Sequence, residues 1–193
     1  RRNFVALAAA AGLASGACAA ETVIEKDVSV KPPDGEADAA LFHPPGKGPW
    51  PAVLIWPDIM GLRPVFREMG RRLAAQGYVV LVPNPFYRSA RANAIRGDFS
   101  NPDDRQKLFG YRGAMTDAGI DSDARAYLAF LDAQGETDRK KKAGVQGYCM
   151  GGPLSFRTAA AVPGRIGAVG SFHGGGLVTD QPNSPHLLIP QTK

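Results

Sequence analysis

Short apolar segments alternate with stretches of helical periodicity through most of the chain. The segment Pro51–Trp56 is uniformly apolar, which is typical of a strand buried on both faces of a parallel sheet. Phe66–Gln76 instead repeats with a helical period, since Met69 and Leu73 are spaced to face a core and Gly77 follows as a helix stop. The same criteria predict strands at 23–30, 37–42, 78–82, 143–146 and 166–172, and helices at 121–133 and 153–162.

The order of these elements indicates the fold class. Two early strands are separated by Pro32–Gly35, a suitable hairpin connection, and strands and helices alternate from there on. The pattern predicts an α/β fold, a mainly parallel sheet with helices on both faces after an antiparallel start. In such a sheet the functional site lies at the C-terminal ends of the strands.

A single cysteine lies where the strand predicted at 143–146 turns into a helix. Gly147–Gly152 reads Gly-Tyr-Cys-Met-Gly-Gly, and Pro153 suits the first turn of the helix. This is the layout of a nucleophile elbow, G-x-S-x-G, with Cys149 in place of serine. Glycines flank such a nucleophile because the strained turn leaves no room for side chains. The N–H groups and dipole at a helix N-terminus favour an anion, here a thiolate, and can donate to an oxyanion.

Two other interpretations of this glycine-rich turn remain open. Cys149 could be a small buried hydrophobic residue, since cysteine often fills cores. A phosphate-binding loop fits less well, because the G-x-G-x-x-G spacing and a Gly-Lys-Ser/Thr ending are missing from the segment. Tyr148 also stands where a phosphate needs access to the backbone.

The size and charge of the chain limit its class. With 193 residues, 44% of them hydrophobic, it can form one substantial core but not two comfortable domains, so we expect a single domain over residues 21–193. The net charge is +5, and much of it comes from residues 1–2 and 139–142. No aromatic residues interleave with the second cluster, which favours a solvated loop over a nucleic-acid surface.

The first twenty residues have the pattern of an export signal. Arg1 and Arg2 precede the apolar run 6–14, and Ala17–Ala19 offers a small-residue cleavage site. The paired arginines resemble a twin-arginine signal and predict a periplasmic or secreted protein. The run is too short to span a bilayer as a stable helix, so we expect no stable membrane anchor. An ordinary alanine-rich helix, a Sec signal and lipidation of Cys18 are the alternatives.

Removal of this leader would leave Cys149 as the single cysteine. An intramolecular disulfide would then be impossible, and an unpaired thiol in an oxidising compartment favours a chemical role. A thiol-redox role is the weakest candidate, because there is no C-x-x-C partner to resolve a disulfide.

Three further blocks, together with this turn, resemble the dienelactone hydrolase family of α/β-hydrolases. The blocks are Trp56–Leu62, Leu73–Tyr78 and Pro83–Arg88, and the resemblance extends from about Val53 to about Gly175. The resemblance implies a Cys-His-Asp triad that opens an enol-lactone or ester through a thioester acyl-enzyme, with no cofactor and no metal.

The resemblance also implies roles for particular residues. Cys149 is the nucleophile, and the backbone N–H groups of Met150 and Ile59 form the oxyanion hole. Asp58 takes the place of the family's active-site glutamate, which contacts the resting thiol, although aspartate is one methylene shorter. Arg105 falls at the place of a family arginine that binds the substrate carboxylate, and a surface arginine paired with Asp104 is the alternative.

The histidines and a basic stretch complete the candidate residues. His173, directly after a strand, is expected to line the pocket rather than to act as the base, and His43 is expected in a loop. The basic stretch 89–96 hints at an anionic ligand, as does the short Asp58, but a solvated loop is the commoner explanation of such a stretch.

The acid and the base of the triad are harder to place. In this fold both follow the nucleophile at the ends of later strands, with roughly 30 residues in each βα unit. Only 44 residues follow Cys149, and Asp180 and His186 come too early, in a Pro/Gly/Asn-rich stretch. We therefore expect the domain to be truncated at its C-terminus, with both residues beyond Lys193. The 193 residues alone are then expected to be inactive.

Two classes of function follow from the sequence. The first is a periplasmic, monomeric hydrolase that opens a small lactone or carboxylic ester through Cys149, with a small and anionic molecule as substrate and no nucleic-acid partner. The second is a non-catalytic homologue that binds a small ligand and lacks a complete triad. A strand-end aspartate and a loop histidine beyond residue 193 would favour the enzyme. The sequence does not separate lactone, ester and thioester substrates.

Overall fold

The computed structural model describes residues 23–192, so the export signal predicted for residues 1–20 lies outside the described residues. Within them the six strands are β1 (Ile24–Val30), β2 (Ala37–His43), β3 (Ala52–Trp56), β4 (Val79–Pro83), β5 (Ala143–Tyr148) and β6 (Ile166–Phe172). The four α-helices are α1 (Pro64–Ala75), α2 (Pro102–Gly113), α3 (Asp117–Ala133) and α4 (Gly151–Ala161). Short 3-10 turns occupy Ala92–Ala94 and Pro185–Gln191.

The strands form one sheet in the order β1-β2-β4-β3-β5-β6. β3 pairs in parallel with β4 and β5, and β5 with β6, whereas β2 runs antiparallel to β1 and β4. This confirms the predicted mainly parallel α/β fold with an antiparallel start. The chain leaves β3 towards β4 and later returns to its other side as β5. The strand order therefore switches between β3 and β5, and sheets of this kind bind ligands at the carboxyl ends of the strands at such a point.

Two apolar cores cover the two faces of the sheet, because successive strand residues point to opposite sides. Leu54 and Trp56 of β3 belong to the larger core, which is covered by α3 and α4, whereas Val53 and Ile55 belong to the smaller core under α1. α1 buries Phe66, Gly70 and Ala74, while Met69 and Leu73, the residues predicted to face the core, are partly buried beside it.

The sequence pattern missed one helix and the first turn of another. α2 has a single buried residue, Leu108, so it carries no apolar stripe that a periodicity could reveal. Its start is nonetheless marked by Asn101, whose side chain caps the backbone N–H groups of Asp103 and Asp104. α3 begins four residues before the predicted start at 121, and Thr116 is its N-cap.

The structure corrects the expectation that His43 lies in a loop. His43 is the last residue of β2 and only 2% exposed, with its Nδ1 2.8 Å from the carbonyl oxygen of Pro44. In the basic stretch 89–96, Arg91 and Arg96 are exposed, which agrees with a solvated loop, while Ile95 is buried and the N–H of Ala92 donates to Asp38. Within residues 23–192, no helix combines the length and the apolar character that crossing a bilayer requires.

Candidate active site

Cys149 lies at the tip of a tight turn between β5 and α4. Its φ is +50°, a left-handed conformation that non-glycine residues rarely adopt and that costs roughly 1–3 kcal/mol. The backbone N–H of Cys149 donates to the carbonyl oxygen of Phe172 at 3.0 Å, and the N–H of Gly152 donates back to the carbonyl of Cys149 at 3.0 Å. The thiol is unpaired and partly exposed. The backbone strain and the partial exposure argue against a merely space-filling cysteine.

The flanking glycines are required by the close approach of strand, helix and neighbouring loop. A Cβ atom on Gly147 would overlap the carbonyl group of Gly151, and one on Gly151 would lie 2.7 Å from the carbonyl oxygen of Pro57. Any side chain at either position would push α4 away from β5 or from the loop after β3. The glycine spacing seen in the sequence therefore reflects steric contact at the turn.

A buried hydrogen bond holds the helix behind the cysteine against β3. The indole Nε1 of Trp56 donates to Oγ1 of Thr158 at 2.8 Å, and this hydroxyl donates to the carbonyl oxygen of Leu154 at 2.8 Å. Ser155, also buried, donates to the carbonyl oxygen of Gly152 at 2.6 Å. These contacts fix the first turns of α4 beneath the thiol.

The two predicted oxyanion donors come from adjacent strand ends. Met150 follows the cysteine at the start of α4, and Ile59 lies in the loop after β3. Neither backbone N–H donates to another group within residues 23–192, whereas the neighbouring Met60 N–H donates to Asp58. Two backbone N–H groups without an acceptor among the described residues, at the ends of neighbouring strands, are suited to stabilising a tetrahedral oxyanion.

Asp58 is engaged by an arginine that sequence reasoning did not single out. Oδ1 of Asp58 accepts from Nη1 of Arg63 at 2.5 Å, and Oδ2 accepts from Nη2 at 2.8 Å. Oδ1 also accepts from the N–H of Met60 at 2.9 Å. Both carboxylate oxygens are thus bound within the loop itself. No sequence signal identified Arg63, because its five-residue separation from Asp58 matches no regular pairing rule.

Aromatic residues line the side of the turn next to β6. Tyr148 stacks on Phe172 with ring centroids 4.8 Å apart, and it meets His173 edge-on at 6.4 Å. Burial raises the pKa of Tyr148 above its ordinary value, so the phenol stays neutral at physiological pH. His173 is exposed and has a φ of +45°. It stands directly after β6, beside the elbow.

The other candidate residues lie on separate elements. Arg105 is half-buried on α2, and no ion pair involving it forms within residues 23–192. Asp180 is exposed in the segment after β6. Nδ1 of His186 lies 2.8 Å from Oγ of Ser184, which also accepts from the N–H of Thr179. His186 is therefore occupied in stabilising its own segment.

A buried ionic cluster was also missed by sequence reasoning. Arg88 donates to both oxygens of Asp123 at 2.7 and 2.8 Å and to Asp34 at 2.7 Å, and the hydroxyl of Tyr87 donates to Asp123 at 2.8 Å. Asp123 is fully buried, and this burial raises its pKa against the opposing effect of Arg88 and Tyr87. The cluster joins the loop after β4 to α3 and to the β1–β2 turn.

Metal ligands of the usual kinds do not come together in the described part of the chain. Within residues 23–192, no three His, Cys, Asp or Glu side chains converge in a way that could hold an ion. The groups that meet at the elbow are a thiol, backbone amides and aromatic rings.

A sheet of this order, with a strained residue in a glycine-flanked strand-to-helix turn at its switch point, defines an α/β-hydrolase fold. The sequence model of the dienelactone hydrolase family matches residues 37–193 of this chain. The chain belongs to this family.

Individual proteins resemble the chain in sequence or in fold. The carboxymethylenebutenolidase of Pseudomonas putida is 28% identical over 171 residues, which cover 87% of this chain and 69% of that enzyme. A Klebsiella pneumoniae structure described as a candidate dienelactone hydrolase aligns with a TM-score of 0.70 and 23% identity, covering 85% of this chain and 65% of that one. The structure of a dienelactone hydrolase-like promiscuous phosphotriesterase from metagenomic libraries aligns with a TM-score of 0.63 and 27% identity. The alignment covers 84% of this chain and 63% of that one.

The chain therefore spans about two thirds of the length of these relatives. The comparisons do not bear out the expectation that the 193 residues alone are inactive.

Proposed function

We propose that the protein hydrolyses a small carboxylic ester or lactone through a thioester on Cys149. The main supporting observation is the strained backbone of Cys149 at the N-terminus of α4, together with the N–H groups of Met150 and Ile59, which have no acceptor within residues 23–192. The names of relatives such as the Pseudomonas putida carboxymethylenebutenolidase support a lactone or ester as the substrate.

The proposed reaction has two halves. The sulfur of Cys149, as thiolate, attacks the carbonyl carbon, and the N–H groups of Met150 and Ile59 stabilise the oxyanion. Collapse of this intermediate breaks the C–O bond of the ester and expels the alcohol oxygen, which takes up a proton. Water then attacks the thioester, releasing the carboxylic acid and restoring the thiol. In a lactone the alcohol and acid remain parts of one molecule.

We propose no histidine between residues 23 and 192 as the group that accepts the proton of the Cys149 thiol. His43 is buried at the end of β2, and His186 is hydrogen-bonded to Ser184. His173 stands close to the elbow, and we propose that it lines the pocket.

Steady-state hydrolysis of activated esters and simple lactones tests the proposal. We expect Cys149→Ala to lower kcat/KM by roughly 10³-fold or more, because no nucleophile of similar reactivity replaces the thiol. Ser29→Ala is the matched control, since this exposed serine lies on β1, at the edge of the sheet away from β5 and the cysteine turn. Equal activity of wild type and Cys149→Ala would reject the acyl-enzyme proposal. Tight binding of the same lactone without turnover by either protein would favour the binding-protein alternative.

We also propose export by the twin-arginine-like leader, on the sequence of residues 1–20 alone. Replacing Arg1 and Arg2 by lysine in a reporter fusion should abolish export, and unchanged export would reject this signal.

A further inference from the structure

The loop between β3 and α1 is fixed on both sides of Ile59. Before this residue, the carboxylate of Asp58 is held by the guanidinium fork of Arg63 and by the N–H of Met60. After it, the N–H of Gly61 donates to the carbonyl oxygen of Asp58 at 2.9 Å. The amide of Ile59 thus lies inside a small hydrogen-bonded ring, and one ion pair holds the Asp58 carboxylate that takes part in it.

The same loop is pressed against the cysteine turn. The backbone of Gly151 approaches Pro57 so closely that no Cβ fits between them. The guanidinium carbon of Arg63 lies 5.1 Å from the ring centroid of Phe66, and this ring packs edge-on against Tyr148 at 5.6 Å. Arg63 is therefore linked to the elbow through the aromatic pair as well as through the loop.

Charge gives the ion pair a second effect. An oxyanion forming at the N–H of Ile59 would be repelled by an unneutralised carboxylate on the preceding residue. The bidentate contact of Arg63 cancels this charge and occupies both carboxylate oxygens. Side-chain exposures of 34% for Arg63 and 21% for Asp58 leave the pair partly shielded from water.

We propose that Arg63 is a positioning residue that acts through Asp58 to hold and to neutralise the oxyanion-hole loop. The role in catalysis rests on the proposed acyl-enzyme function of Cys149. Arg63 itself need not contact the substrate.

Kinetics of Arg63→Met test this role. We expect kcat to fall roughly 10- to 100-fold, somewhat less than the 10²–10³ that loss of a whole oxyanion donor costs. KM should change by less than about threefold, because the lost stabilisation belongs to the transition state. Adding Asp58→Asn to this variant removes the unneutralised charge and should restore part of kcat. If Arg63 had only a structural role, removing this charge would not restore kcat. The matched control is Arg72→Met, which removes an arginine of α1 that pairs only with Glu68 at the surface.

Hydrogen exchange of the peptide that contains residues 58–62 gives a readout independent of activity. Arg63→Met should raise exchange in this peptide by roughly tenfold, and Arg72→Met should leave it unchanged. The proposal is overturned by unchanged exchange, by a kcat within about twofold of wild type, or by a loss that Asp58→Asn does not reduce. If Arg63→Met does not fold, the double variant, which has no unpaired carboxylate, is measured against Asp58→Asn alone.

Failure of the proposed acyl-enzyme function would give a different result from failure of the role proposed for Arg63. Wild type and Cys149→Ala would then hydrolyse esters equally, while the exchange measurement would still decide whether Arg63 holds the loop.

Discussion

At the scale of single residues, the feature that matters most is the positive φ of Cys149. Glycine would adopt this conformation without steric cost, yet a cysteine stands there, so the fold gives up stability at this position. In a turn of this kind the nucleophile projects from the end of the sheet, so that the carbonyl group of a substrate can reach it. A cysteine that only filled space would not need such a backbone.

This strain should be measurable as stability. The free energy of unfolding of Cys149→Gly is expected to be about 1 kcal/mol higher than that of Cys149→Ala, because only glycine adopts the left-handed backbone conformation without a steric penalty. Urea denaturation of both variants measures the difference. Higher stability of the alanine variant would show that Cys149 is not strained.

At the scale of elements, the site depends on how α4 packs on β3. The buried hydrogen bond between Trp56 and Thr158 joins the two elements directly beneath the elbow. Both side chains are fully buried, so neither polar group can turn to water if the other is lost.

Thr158→Val should therefore destabilise the fold by about 1–3 kcal/mol, because the indole N–H would be buried without an acceptor. Thr158→Ser keeps the hydroxyl and is the control, with an expected loss below about 1 kcal/mol. Thermal or urea unfolding monitored by Trp fluorescence provides the comparison. No loss for Thr158→Val, or a larger loss for Thr158→Ser than for Thr158→Val, would indicate that packing of the methyl group matters more than the hydrogen bond.

The sequence predicted elements well where packing restricts the residue type at successive positions. The uniformly apolar β3 and the glycine-flanked turn at Cys149 are examples, because burial and close backbone approach constrain each residue there. α2 was missed because only Leu108 is buried along it. The pairing of Asp58 with Arg63 was also missed, because long charged side chains can reach many partners and local spacing does not select one.

At the scale of the whole molecule, a buried ionic cluster joins parts of the chain that are distant in sequence. Arg88 follows β4, Asp123 lies in the middle of α3, and Asp34 lies in the β1–β2 turn. A pairing over 35 residues of sequence, as between Arg88 and Asp123, leaves no local trace, which is why the sequence did not reveal it. The cluster fixes α3 against the antiparallel part of the sheet.

Arg88→Met should destabilise the protein by about 3–5 kcal/mol, because it leaves the Asp123 carboxylate buried without its cation. Burial already raises the pKa of Asp123, so in this variant the folded state takes up a proton more readily than the unfolded state. The deficit should therefore grow as pH rises through the pKa of the folded carboxyl and shrink on acidification.

Urea denaturation at several pH values checks this expectation. The exposed Arg125→Met on α3 is the control and should change stability by less than about 0.5 kcal/mol. A pH-independent deficit for Arg88→Met would show that loss of packing, rather than the buried charge, is responsible.

If the sulfur of Cys149 holds the acyl group during turnover, acid-quench mass spectrometry after mixing with an activated ester should detect the adduct. We expect one acyl group per protein, located on the peptide that contains Cys149 and missing from Cys149→Ala. No adduct at any quench time, or an adduct that persists in Cys149→Ala, would contradict it.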